Sequence, residues 1–117
     1  DIPYAVARRI LGRRKIIGLT VNNLKEAAEA QELGADYIAV APIFATGTKR
    51  DAGRAVGVRL LKSIRREVEV PVVAVGGINL HNAKEVISFG ADALCAISAV
   101  VAKPSVEKEI LSFQGLF

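Results

Sequence analysis

Two stretches of the chain follow one plan: NLKEAAEAQELGADYIAVAPI at residues 23–43 and NLHNAKEVISFGADALCAISA at residues 79–99. Each opens on Asn, runs through a helical pattern, breaks at Gly-Ala-Asp and closes on an apolar run of strand length. Gly34 and Gly90 stand 56 residues apart, the span of two helix–strand periods. Such regular alternation predicts right-handed βαβ units on a parallel sheet.

Working outward, four runs predict strands: Lys15–Thr20 (KIIGLT), Tyr37–Ala41 (YIAVA), Val70–Val75 (VPVVAV) and Ala93–Ser98 (ALCAIS). They are continuously apolar rather than alternating, the pattern of parallel strands covered on both faces. Pro71 sits at the head of its run, where a missing N–H is tolerated. Helices are expected between and around them. Leu24–Leu33 carries Leu24, Ala27, Ala28 and Leu33 on one stripe, with Asn23 as N-cap, Glu26 three residues on, and Gly34 as the stop. Val58–Val68 aligns Leu60, Leu61, Ile64 and Val68. Leu80–Phe89 follows an Asn79 cap, Ser105–Phe113 follows Pro104, and a short helix over Pro3–Leu11 precedes the first strand with Val6, Ile10 and Leu11 inward.

The 117 residues are 51% hydrophobic, rich in Ala and Val, and suffice for one domain with a real core. No linker or second domain is visible. The longest apolar stretch, Val86 to Ala102, is broken by Ser88, Gly90 and Asp92, so no membrane span is expected, and no secretory signal is read. A first residue other than Met hints at processing or truncation. The single Cys95 reads as a small buried strand residue in a reducing, cytoplasmic setting. Net charge is +4. Its densest run, Arg13, Arg14 and Lys15 after Arg8 and Arg9, reads as a solvated basic face, since no nucleic-acid motif or aromatic stacking pattern accompanies it. Neither nucleic acid nor membrane is an expected partner.

Chemistry gathers at the strand ends. After the second predicted strand, a sixteen-residue connection from Pro42 to Gly57 exceeds the usual two to six residues of a βα turn, which argues for function. Thr46 and Thr48 bring hydroxyls and Lys49 a mobile charge; Arg50, Asp51 and Arg54 read as a solvated cluster. The loop is no P-loop, lacking the Gly-Lys-Ser/Thr end. After the third strand, Gly76 and Gly77 let backbone N–H groups approach an anion unobstructed, before a helix N-terminus. Ser98 ends the neighbouring strand, so these two turns could hold one phosphate. His81 reads as a surface or capping residue. There is no zinc-like Cys/His cluster, no Ser-His-Asp arrangement and no evident general base. A doubly wound sheet and a (β/α)8 barrel both alternate this way, and four strands in this length are about half of a barrel of about 250 residues.

At this point VAPIFATGTKRDAG (residues 40–53) and VPVVAVGGINLHNAKEVISFGADALCAISAV (residues 70–100) resemble the C-terminal half of the thiamin-phosphate synthase family and its tautomerase-like relatives. The resemblance implies a (β/α)8 barrel and a transferase that joins aminopyrimidine methyl pyrophosphate to thiazole phosphate, giving thiamin phosphate and pyrophosphate. It implies that pyrophosphate leaves first and that the thiazole nitrogen captures the resulting cation, chemistry that needs charge stabilisation rather than a strong base. Carried over by position, Thr20 would contact pyrophosphate, and Thr46 and Thr48 would line the thiazole-phosphate side. Lys49 would be the catalytic cation at the leaving group. Gly76, Gly77, Ile97 and Ser98 would hold the thiazole phosphate, and Asp1 would be a Mg2+ ligand. The chain departs from the pattern at Ala45, where relatives carry Pro, and at Asn22, where the tautomerase-like branch uses a His. Strands one to four of the family have no counterpart here. The expected partners are therefore small phosphorylated substrates together with the missing N-terminal half-barrel or a second copy of the chain, and this half alone is expected to be inactive in synthesis. Two other readings stand beside this one: a different phosphate-binding barrel, such as an isomerase, and a non-catalytic phosphate-binding half-barrel.

Overall fold

The computed structural model describes residues 2–47, 50 and 53–117. Helix α1 (Tyr4–Leu11) leads into strand β1 (Gly18–Val21), followed by α2 (Leu24–Leu33), β2 (Tyr37–Val40), α3 (Gly57–Glu67), β3 (Val72–Val75), α4 (Ala83–Ser88), β4 (Ala93–Cys95), α5 (Ser98–Val101) and α6 (Val106–Gln114). The strands form one parallel sheet in sequence order, β1-β2-β3-β4. Thr20 aligns with Ala39, Ala39 with Val73, and Val73 with Ala93, so one row crosses the whole sheet.

Strand burial alternates, contrary to the expectation of cover on both faces. Leu19, Val21, Ile38, Val40, Val72, Ala74 and Leu94 point into the core, with Val21, Ile38, Val40, Val72 and Ala74 fully buried. The intervening Thr20, Ala93 and Cys95 are exposed and Tyr37, Ala39, Val73 and Val75 only partly covered. Both faces are apolar by sequence, but only one is packed. Cys95 is consequently exposed rather than buried. At Gly18 the Tyr37 ring occupies the space a Cβ would need, so the row nearest the strand starts is filled by an aromatic across a glycine.

Helix α3 turns Leu61 and Ile64 into the core as its spacing predicts. In α2 the stripe is different from the expected one: Ala27 and Ala30 are buried, while Leu24 and Leu33 are largely exposed. Small side chains let this helix lie close to the sheet. Asn23 does cap it, its Oδ1 accepting from Glu26 N at 2.8 Å, and the Glu26 carboxylate accepts from Asn22 N at 2.7 Å. In α1 the predicted inward face is open, with Ile10 71% exposed. Arg8 is no solvated charge: it bonds Asp36 Oδ2 at 2.7 Å and the Lys15 carbonyl at 2.6 Å.

The echo in the sequence is an echo in structure. Asp36 Oδ2 accepts from Ile17 N at 2.7 Å and pairs with Arg8; Asp92 Oδ2 accepts from Val72 N at 2.8 Å and pairs with Arg65 at 2.7 Å. In each unit, an Asp before one strand holds the start of the preceding strand, and an Arg from the helix ahead of that earlier strand holds the Asp. The Gly-Ala-Asp motif thus sets strand register at the amino edge of the sheet and leaves the carboxyl edge to the long loops.

Candidate functional site

The carboxyl edge is built by the backbone first. Beyond β2, Ile43 N donates to Val75 O at 2.9 Å and Phe44 N to Gly76 O at 3.1 Å, so the chain keeps following β3 past the strand itself. The long connection closes on its own base, with Val56 N on Pro42 O at 2.8 Å and Gly57 N on Ile43 O at 3.0 Å. Gly76 and Gly77 have φ of 106° and 65°, left-handed values that glycine tolerates. A Cβ on Gly76 would come within 2.7 Å of Pro42 Cβ, and one on Gly77 within 2.8 Å of Phe44 Cβ. These glycines are needed for packing between two loops as well as for any ligand.

The turn after Gly77 is locked by two asparagines. Asn79 Oδ1 accepts from His81 N at 2.9 Å and Asn82 N at 3.2 Å; Asn82 Oδ1 accepts from Asn79 N at 2.9 Å, and its amide donates to Gly77 O at 2.9 Å. Asn79 closes this turn rather than capping the helix as expected: the regular helix starts at Ala83 rather than at Leu80, and its N-cap position is Asn82. Asn82, which was not singled out from the sequence, fixes the carbonyl of Gly77. Its signal was the Asn-x-x-Asn spacing.

A cleft of about 690 Å³ opens at this edge, lined by Ala45, Thr46 and Gly47 from the loop after β2, Gly77 to His81 after β3, and Ser98, Ala99, Lys103 and Glu109 after β4. Of the expected substrate-binding residues, it brings together Thr46, Gly77 and Ser98; His81, read from the sequence as a surface or capping residue, also lines it. Gly76 lies one residue back, against Pro42. Thr20 is exposed at the end of β1, outside this lining, and Ile97 is exposed immediately before α5. Ser98 does not end a strand: β4 stops at Cys95, and Ser98 opens the short helix α5. The first amides of a helix have no acceptor within it, so this turn presents N–H groups beside a hydroxyl. Asn22 Nδ2 donates to Ala41 O at 2.7 Å, tying the ends of β1 and β2 together. Arg50 and Arg54 are exposed, as a solvated cluster requires. Asp1, Thr48, Lys49 and Asp51, four residues named from the sequence, lie outside the described residues.

What this edge can do chemically is hold an oxyanion with neutral donors on a fixed frame. Among the described residues, no three His, Cys, Asp or Glu side chains group together, and Asp1, the expected magnesium ligand, lies outside them. The shifted ionisations belong to the other end of the sheet. The Ile17 amide and then Arg8 hold the Asp36 carboxyl below its ordinary range, and Tyr4 and then Asp36 keep Arg8 charged.

Residues 1–100 match the family model for thiamine monophosphate synthase. The chain belongs to that family. Within the thiamine monophosphate synthase family, the chain is 50% identical to the thiamine-phosphate synthase of Methanosarcina mazei over 97% of its own length and 47% of that protein. A solved thiamine phosphate pyrophosphorylase from Pyrococcus furiosus superimposes with a TM-score of 0.90 at 40% identity, covering 99% of this chain and 55% of that one. The N-acetylmannosamine-6-phosphate 2-epimerase of Clostridium perfringens, at 22% identity and a TM-score of 0.63 over 97% of this chain and 47% of that one, shares the fold alone. The α/β architecture, four parallel strands alternating with helices, is that of the (β/α)8 barrel family. The chain spans about half the length of the curated relatives it matches. No helix among the described residues is long and apolar enough to cross a membrane.

Proposed function

We propose that this chain is the C-terminal half of a thiamin-phosphate synthase barrel and carries the thiazole-phosphate side of its site. The observation that carries the reading is the convergence of Thr46, Gly77 and Ser98, from three successive βα loops, on one cleft in a chain of this family. The thiazole phosphate would rest on the amides of Gly76 and Gly77 and on the Ile97–Ser98 turn, with Thr46 and Thr48 along the ring. Thr20, at the end of β1, would meet the pyrophosphate of the second substrate, and Lys49 would neutralise it as it leaves.

The step is a substitution by dissociation. The C–O bond between the pyrimidine methyl carbon and pyrophosphate breaks, and the leaving group takes the electron pair. The thiazole nitrogen lone pair then forms the new C–N bond. No proton needs to be removed for this, in keeping with a site whose described residues offer donors rather than a buried base. Preorganised donors of this type stabilise developing negative charge at little reorganisation cost. In this reading Mg2+ use belongs to the completed barrel, with Asp1 as the contribution of this half, and the reaction is cytoplasmic. The tautomerase alternative is opposed by Asn22, an amide committed to the Ala41 carbonyl where that activity needs a titratable group.

The test is reconstitution. The chain is mixed or co-expressed with an N-terminal half-barrel from a thiamin-phosphate synthase of the family, and thiamin phosphate is assayed. Turnover in the mixture, absent from either half and lost with Lys49→Ala, is the expected result. A stable complex without turnover would favour a phosphate-binding half with no catalytic role.

A further inference from the structure

His81, Lys103 and Glu109 line the cleft, and the proposed function gives none of these three ionisable side chains a role. Gly77 and Ser98 offer amides and a hydroxyl but no net charge. Among the described lining residues, Lys103 is the basic side chain of the aliphatic kind and Glu109 the acidic one. The Lys103 ammonium forms no ion pair or hydrogen bond with any described residue, Glu109 included. Its backbone is set by α5: Ala102 N donates to Ser98 O and Lys103 N to Val100 O, each at 3.3 Å. Lys103 thus lies two residues past the end of α5, the short helix that Ser98 opens. Both residues line the cleft, and a flexible four-carbon stem lets the Lys103 charge move within it.

Resting on the reading of this cleft as a phosphate site, we infer that Lys103 selects a phosphate monoester over the corresponding alcohol, with Glu109 opposing it. A lysine acts on phosphate as a point charge and needs no fixed fork geometry, which suits a residue on a connector beside the neutral cradle. A carboxylate facing the same space repels the dianion. The two side chains therefore act with opposite sign, a property that a merely structural role for either would not produce.

Calorimetry on the 117-residue chain tests this with three probes: inorganic phosphate, thiazole phosphate and the unphosphorylated thiazole alcohol. Low salt and a pH of about 8 leave the phosphate dianionic. Lys103→Ala is expected to weaken both phosphates by about 3- to 10-fold and to leave the alcohol unchanged, with Lys103→Arg restoring most of the loss. Glu109→Gln is expected to tighten both phosphates by about 2- to 3-fold. Lys84→Ala, on the exposed side of α4, serves as the control and should change nothing. Phosphate affinity retained in Lys103→Ala, or equal losses for phosphate and alcohol, would overturn the role of Lys103 while leaving the cleft a phosphate site. A parent chain that binds neither phosphate would overturn the site reading itself, and this inference with it.

Discussion

Gly77 answers to two demands at once. Its amide is free of side-chain cover, as an anion cradle requires, and its left-handed φ and close contact with Phe44 and Ala45 leave no room for a Cβ. Gly77→Ala should therefore act through the neighbouring loop as much as through the ligand. The new methyl group would meet Phe44 Cβ and the Ala45 carbonyl, and the backbone that gives way is the one that carries Thr46. The expected cost is about 1–3 kcal/mol in urea denaturation, from the strained φ and the overpacking together. Phosphate affinity should fall with it. Ser98→Ala differs: it keeps the α5 amides and removes one hydroxyl, so stability should hold while phosphate binding weakens by about 0.5–1.5 kcal/mol. Equal stability losses for the two variants would mean that Gly77 is not the packing position described here.

At the scale of elements, the duplicated Arg–Asp clamp organises the amino edge of the sheet, and its pH response can be given a sign. The Asp36 carboxyl is held below its ordinary value of 3.8, so the unfolded chain takes up a proton more readily than the folded one. The stabilisation is complete above 3.8 and is lost as pH falls through the lower, folded value. Denaturation midpoints of parent and Asp36→Asn should differ by a constant amount at neutral pH and converge in acid; a gap that persists in strong acid would contradict the clamp. Asp92→Ala should cost about 1–2 kcal/mol by leaving the Val72 amide unpaired. The order and type of the main elements were legible in the sequence, because apolar runs, Asn caps and Gly stops all act locally. Three things were not. Leu24 and Leu33 looked like the core stripe of α2, but sheet contact is decided by which residues let the helix approach, and Ala27 and Ala30 do so. Ser98-Ala-Val-Val reads as the continuation of a strand, yet β4 has stopped at Cys95 and the same apolar residues wind into α5. In the site, strand ends could be placed from sequence, but the cleft-facing positions of Lys103 and Glu109 depend on how α5 and α6 fold back.

For the whole molecule, the decisive feature is a sheet packed on one face. Thr20, Ala39, Val73, Ala93 and Cys95 form a mostly apolar surface that is exposed or only partly covered, and among the described residues β1 and β4 end the sheet at two edges with no strand beside them. Exposed apolar side chains gather beyond each edge: Ile10 and Ile16 near β1, the latter 78% exposed, and Val101, Leu111 and Phe117 near β4. Such edges invite pairing. Two copies closing on each other would supply eight strands, but the helix positions argue against it. Helix α1 precedes β1 as α3 precedes β3, with Arg8 and Arg65 in matching roles, while α6 packs Phe113 beyond β4. Each junction between β4 of one copy and β1 of the other would then have to house both α6 and α1, where a barrel of this type places one helix. On the proposed half-barrel reading, the complement would be four strands joined by three helices. We therefore expect light scattering to find no closed, compact dimer of the chain alone, and a one-to-one complex once a complement of that form is added. Hydrogen exchange gives the sharper reading. Outward-facing amides of β1 and β4 should exchange faster than those of β2 and β3 in the isolated chain and become protected only in the complex. Slow exchange at both edges of a stable homodimer would overturn this expectation and show that α1 or α6 moves aside to admit a second copy.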